Sequence, residues 1–429
     1  MNNHALKNTI RPVLAATTLA FFAACNATTP MPQTPPAYIG GESHFDQVKT
    51  VQISASDSPE QIASSTGGTI IAWHPEDGYA MVGLTGKLGL LATNSNAYKM
   101  PEKLSATSVG LAAWKEGSTS WGSGWNVWGS GWTVWGSGGS SHLPGKNALI
   151  WQKIRLPQAA LLAPKAGNGI KVAIIDSGID LSHPAFTGAL VAASDMWDFV
   201  DGDAVPQEVF SSTGSNEGYG HGTAVAGIVV QIAPKAKLMP IRVLNSSGEG
   251  DTANVVAAID FAVKHGAKII NLSLGTDYDA SLGAMIATAN NAGVIIVAAS
   301  GNSNNENITY PGNQGKANDM LYGVGSSNLN DLKSSFSTYG STLEMTAIGE
   351  GISTPAPGNK MGVWNGTSMA APMVSAALAL ARGEFGTTNP ASLSGNMFVA
   401  TTRIDTNSSY VYKLGSGRLD LERFIQFAR

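Results

Sequence analysis

From Gly169 onward, short apolar runs recur between segments of helical periodicity, and no other property of this chain narrows its fold as far. The runs IKVAII at 170–175, LMPIRVL at 238–244, KIINL at 268–272 and VIIVAA at 294–299 have strand length and almost no polar alternation. Segments 253–265 and 281–292 carry helical spacing of apolar residues. Strands apolar on both faces are buried on both faces, and strands separated by helices pair in parallel. The pattern predicts a mostly parallel sheet with helices on either side. Sheets of this kind bind ligands at the carboxyl ends of their strands. The residues that follow the apolar runs are therefore where chemistry is expected.

The rest of the chain divides by composition. Lys7 and Arg11 precede an apolar stretch over 13–24 that ends in small residues, the pattern of an export signal. That stretch is short for a membrane span. The single cysteine, Cys25, follows Phe22, Ala23 and Ala24, which resembles the lipobox of bacterial lipoproteins, with Phe22 where Leu is usual. Lipidation there would make Cys25 a membrane anchor, whereas an ordinary secretory signal would leave it incidental. One cysteine also excludes an internal disulfide and a cysteine metal cluster. A Pro/Thr-rich tether over 26–45 leads into a strand–helix–hairpin pattern over 46–110, a small α+β module. Residues 111–147 hold a Trp-Gly-Ser-Gly repeat of seven-residue period containing five of the ten tryptophans. It reads as a low-complexity linker or as an aromatic binding platform. The sheet-forming region occupies 148–429. With 26 basic and 30 acidic residues, the chain lacks the basic footprint of a nucleic-acid partner.

Four short motifs stand where the sheet pattern places chemistry. The run 170–175 leads into Asp176-Ser177-Gly178, which could orient a histidine or could be an ordinary turn. Gly220-His221-Gly222-Thr223 puts an imidazole at the start of a small-residue helix. The run 294–299 continues into Ser300-Gly301-Asn302, whose amide could donate to an oxyanion or could simply close a turn. Gly366-Thr367-Ser368-Met369-Ala370-Ala371-Pro372 offers a serine with small neighbours on a helix start, which could equally be a cap. Each motif alone has an ordinary structural explanation. Their combination does not.

These motifs, in this order and at this spacing, resemble the subtilisin family of serine proteases over roughly 150–427. The resemblance implies a three-layer α/β/α domain preceded by a small α+β propeptide module that is cut off autocatalytically and inhibits the enzyme until then. It implies an exported endopeptidase with Ser368 as nucleophile, His221 as base, Asp176 as the residue holding the imidazole and Asn302 as oxyanion donor. Ser273, Leu274 and Gly275 match one wall of the pocket for the residue before the cut, and Ala299, Ser300 and Gly301 match the other. Gly248 and Gly250 match the edge that pairs with an extended peptide substrate. Thr309 falls at the pocket floor, where glycine is common, and should make the pocket shallow. A subtilase-fold protein without activity, using the Trp repeat as a binding surface, is the alternative. Acid proteases with a Ser-Glu-Asp set are disfavoured by His221.

The chain departs from the family pattern at three places. Ala224 stands where a second histidine is usual, and Met373 where a histidine often follows Pro372. The segment after Gly227 runs directly from Gln231 to Pro234, without the calcium loop of many relatives. Asp180, Asp201, Asp203 and Asp251 lack calcium-loop spacing. No metal or other cofactor is expected, and peptide hydrolysis should survive excess chelator; loss of activity in chelator, restored by a divalent cation, would refute this.

Overall fold

In the computed structural model, residues 47–84 (without 55 and 76–78), 97–99 and 147–429 (without 215, 277–278, 387–388 and 405–406) are described. All belong to one compact unit, Tyr38–Arg429. Cys25, the tether and the Trp repeat lie outside the described residues.

The module begins with β1 (Gln47–Gln52), α1 (Pro59–Thr66), β2 (Thr69–His74) and β3 (Tyr79–Leu84). α1 has a full capping box: Ser58 and Gln61 each satisfy the other's backbone N–H, Pro59 opens the helix and Gly67 closes it at φ 70°. The three strands form an antiparallel sheet in the order β1-β3-β2. A short strand, β4 (Ala97–Lys99), follows.

Next come α2 (Ala148–Lys153), α3 (Leu156–Leu162), β5 (Lys171–Asp176), β6 (Trp197–Asp198), α4 (His221–Ile232) and β7 (Lys237–Arg242). Then follow β8 (Glu249–Asp251), α5 (Thr252–Lys264), β9 (Ile269–Leu272), α6 (Ala280–Asn291) and β10 (Ile295–Ala299). The chain ends with β11 (Leu321–Ser327), β12 (Met345–Ile348), the hairpin β13 (Ile352–Ala356) and β14 (Lys360–Trp364), and α7 (Thr367–Phe385), α8 (Pro390–Val399) and α9 (Leu421–Phe427). Among the described residues no helix is long and apolar enough to cross a membrane.

Seven strands form one sheet in the order β12-β11-β10-β9-β5-β7-β6, and every pairing in it is parallel. Alternate residues of each strand feed two separate cores. Val172, Ile174, Ile295, Val297 and Ala299 pack with α4 and α7. Ala173, Ile175, Ile270, Leu272, Ile296 and Ala298 pack with α5 and α6. This two-sided burial explains why the strands read as continuous apolar runs. β5 is central: the chain crosses from it to β7 on one side, then returns to build β9 through β12 on the other. Its carboxyl end is thus the point where the strand order reverses, which leaves a crevice between diverging connections.

Asn147, the last residue of the expected linker, packs against the sheet domain. Asn147 is fully buried; its amide donates to Gln231 Oε1 (2.9 Å) and to the Ser353 carbonyl, and it accepts from Ser353 N.

Candidate active site

Asp176 is the last residue of β5, and His221 is the first of α4. His221 Nδ1 lies 2.7 Å from Asp176 Oδ1, both residues being almost fully buried. The two glycines beside His221 make this possible for different reasons. Gly220 caps the helix at φ 92°, a conformation that disfavours any side chain. A Cβ on Gly222 would fall 2.0 Å from the Gly178 carbonyl oxygen and 3.2 Å from Asp176 Cβ. Only a glycine there lets the helix start press against the strand end closely enough for the ring to reach the carboxylate. Trp364 meets the His221 ring edge-on, with centroids 6.5 Å apart. The backbone N–H of Ser177 also donates to Asp176 Oδ1 (2.8 Å), so this oxygen is held from two sides.

Ser368 is the second residue of α7 and is buried. Its Oγ donates to the Ser273 carbonyl at 3.2 Å. Pro372 lies inside this helix and has no N–H, so the carbonyl four residues earlier, that of Ser368, loses its helical donor. Ser273 Oγ supplies the missing bond at 2.9 Å. Ser273 Oγ in turn accepts from Asn271 Nδ2 (2.9 Å), and Asn271 Oδ1 accepts from Ser375 Oγ (2.8 Å). A buried polar relay therefore ties the serine to β9 and to the next turns of its own helix. Asn271 shows in the sequence as one polar residue in an otherwise apolar strand. The partnership of Asn271 and Ser375 has no sequence signal, because 104 positions separate them.

Asn302 lies in the loop after β10. Its Oδ1 accepts from Thr367 N (2.9 Å) and Thr367 Oγ1 (3.0 Å), which puts the NH2 group on the opposite edge of the amide. Thr367 Oγ1 also accepts from Gly301 N at 3.3 Å. The same loop is bonded to the next one: Ser300 Oγ donates to the Thr338 carbonyl, Ser303 N to Thr338 Oγ1, and Thr338 N to the Gly301 carbonyl. Lys333 closes this joint from beneath. Its ammonium donates to Asn304 Oδ1 and to the Ser334 and Ser337 carbonyls, with the rings of Tyr339 and Tyr410 beside it. Burial pushes the Lys333 pKa down to about 8.

The expected pocket residues also meet. Ser273, Leu274 and Gly275 leave the end of β9, and Ala299, Ser300 and Gly301 leave the end of β10. Thr309 lies between them: a Cβ on Gly275 would stand 2.3 Å from Thr309 Oγ1, and one on Gly301 would stand 3.2 Å from Thr309 Cγ2. Its hydroxyl faces the Ala299 carbonyl at 3.4 Å. Gly250 lies in β8 and Gly248 immediately precedes it. There β4 pairs antiparallel with β8, Tyr98 opposite Gly250 and Lys99 opposite Glu249.

At the positions where the sequence departs from the expected pattern, the side chains are structural. Ala224 and Met373 are fully buried in the core, and the Ala224 carbonyl accepts from Thr354 Oγ1. Among the described residues no three or more His, Cys, Asp or Glu side chains gather as metal ligands. Asp198 and Asp201 are both paired with Arg242.

Comparison with known proteins gives consistent matches. A family model described as the subtilase family matches residues 167–416. Thermitase from Thermoactinomyces vulgaris is 40% identical over 234 residues, covering 52% of this chain and 77% of the relative. Subtilisin Savinase from Lederbergia lenta is 33% identical over 266 residues, 60% of this chain and 90% of the relative. Subtilisin-like protease 5 from Trichophyton tonsurans is 34% identical over 218 residues, 48% of this chain and 51% of the relative. The crystal structure of a cold adapted subtilisin-like serine proteinase superposes with a TM-score of 0.50 at 30% identity, covering 56% of this chain and 84% of that chain.

Ser273→Ala should leave the Ser368 carbonyl buried without a donor and destabilise the protein by about 1–3 kcal/mol. An unchanged midpoint in chemical denaturation would show that the relay contributes nothing.

Proposed function

The chain belongs to the subtilase family and is a serine endopeptidase, and from that premise we propose that it is exported, matures by cutting itself, and works through Asp176, His221 and Ser368. The observation that carries the assignment is the buried 2.7 Å contact between Asp176 and His221, together with the glycine that permits it. In this reading, rotation about χ1 takes the Ser368 hydroxyl from the Ser273 carbonyl to the imidazole nitrogen that does not face Asp176. That nitrogen accepts the proton as Ser368 Oγ attacks the scissile carbonyl, and later returns it to the leaving amine. Asp176 holds the ring tautomer and offsets the charge of the imidazolium. The negative charge on the substrate oxygen is met by the Asn302 amide and the Ser368 backbone N–H at the start of α7. Water repeats the sequence on the acyl-enzyme and releases the second product.

Substrate is held by backbone pairing at β8, with side-chain selection in the pocket at Thr309. The pairing of β4 with β8 supports this, since a segment of the chain itself already lies along that edge. The strands β1 and β2 of the module lie against α6 and α5, which fits an inhibitor that delivers its trailing segment to the crevice. Cutting between the module and Asn147 would release the sheet domain, and if Cys25 carries lipid it would also free the enzyme from the membrane.

Ser368→Ala is expected to abolish peptide hydrolysis and labelling by a fluorophosphonate, and to accumulate full-length precursor. Mass spectrometry of the amino termini in cell-bound and released fractions checks both maturation and lipid at Cys25. A variant that still matures, or wild-type protein that resists the label, refutes the assignment.

Thr309→Gly should deepen the pocket and shift preference before the cut toward large aromatic residues, by about tenfold or more in kcat/KM. A wild-type enzyme that already prefers aromatic residues in a peptide library refutes the role of Thr309.

A further inference from the structure

Glu208 is buried beside Asp176 and has no part in the chemistry above. It arrives there because Gly178, at φ 96°, has no side chain: a Cβ would stand 2.9 Å from the Pro206 carbonyl oxygen. The segment before Glu208 therefore lies flat against the end of β5, with Ile179 N donating to the Pro206 carbonyl and Glu208 N to the Ile179 carbonyl. The carboxylate then faces the first turn of α4. Glu208 Oε2 accepts from Gly220 N, and Oε1 accepts from Thr223 N (3.0 Å) and Ser177 Oγ (3.1 Å). Ser177 Oγ itself accepts from Gly222 N (3.0 Å). Three of the N–H groups that a helix leaves without partners at its start, those of Gly220, Gly222 and Thr223, are thus taken by one carboxylate and by the serine next to Asp176.

Every group that touches the Glu208 carboxylate is a donor, so only the ionised form accepts all three bonds. A neutral acid would have to donate its proton, and the Ser177 hydroxyl would have to turn away to receive it. We propose that ionised Glu208 is a positioning residue, tying the first turn of α4 to the end of β5 so that His221 is held against Asp176 and turnover depends on the charge of Glu208.

Other charges around it act on the same equilibrium. Burial first, and then the Asp176 charge, push the Glu208 pKa up to about 8, opposed by the bonds from Thr223, Ser177 and Gly220. Tyr219, on the loop entering α4, is the other titratable neighbour; burial and the charges of Glu208 and Asp180 raise its pKa. His221 faces the group from α4, across Asp176. As pH rises through about 8, Glu208 gains its charge and the clamp tightens.

The inference rests on the reading of Asp176, His221 and Ser368 as the catalytic unit, and the Ser368→Ala variant tests that reading separately. The measurement is kcat and KM for a peptide substrate against pH, on the full chain after its own maturation. Wild-type kcat should rise through a limb centred near pH 8, beyond the rise expected from an imidazole base. Glu208→Gln should lack that limb and lose about tenfold or more in kcat at pH 9 with KM within about twofold. Glu208→Asp should keep the limb at a lower plateau. If the Gln variant does not mature, the rate of fluorophosphonate labelling of wild-type Ser368 should show the same limb. A Gln variant with wild-type kcat, a kcat loss without any change in the shape of the profile, an Asp variant without the limb, or wild-type labelling without it would each overturn the proposal.

Discussion

A parallel sheet covered by helices on both faces has almost nowhere to place a polar side chain except at its strand ends. In this protein that constraint organises the site. β5, β9 and β10 bury alternate residues in two separate cores, so each becomes free to carry chemistry only where it leaves the sheet. Asp176 ends β5, Ser273 follows β9, and Asn302 follows β10 by three residues. All three emerge at the carboxyl edge, beside the reversal of strand order around β5. The two helix starts that face this edge, those of α4 and α7, bring His221 and Ser368.

Close approach at this edge depends on missing atoms as much as on present ones. Gly222 lacks the Cβ that would strike Gly178, and Gly178 lacks the one that would strike Pro206. Pro372 lacks the N–H that would have satisfied the Ser368 carbonyl, which opens that carbonyl to Ser273. The small residues around the serine and histidine therefore have specific geometric duties. Thr309 fills space in the opposite sense, occupying with a hydroxyl and a methyl the gap that Gly275 and Gly301 leave between the ends of β9 and β10.

The region before the sheet domain meets the same edge from outside. β8 is a short strand with an unfilled side, and β4 occupies it by antiparallel pairing. An exposed strand edge binds any extended chain with suitable backbone geometry, and here the edge of β8 is taken by a segment of the chain itself. The helices α5 and α6, against which β2 and β1 rest, complete this contact with the apolar core on their other side.

The fold was largely legible in the sequence because burial on two faces writes itself into consecutive residues: the four apolar runs became β5, β7, β9 and β10 within one or two positions at each end. Asp176, His221, Asn302 and Ser368 were legible because each stands in a short local motif whose glycines, or small neighbours, are part of the requirement. What the sequence did not reveal are the bonds between motifs. Glu208 sits in a loop without a recognisable pattern, Ser375 reads as one small residue in a helix of small residues, and Lys333 reads as an ordinary surface lysine. Asn147 falls in a stretch that composition assigns to the linker. Their roles come from neighbours tens to hundreds of positions away. The sequence by itself determined the layered sheet and named the candidate reactive groups, since periodicity and backbone conformation are local properties. Only the tertiary structure decided which buried polar atoms satisfy one another, because a hydrogen bond depends on distance in space and leaves no trace in sequence separation.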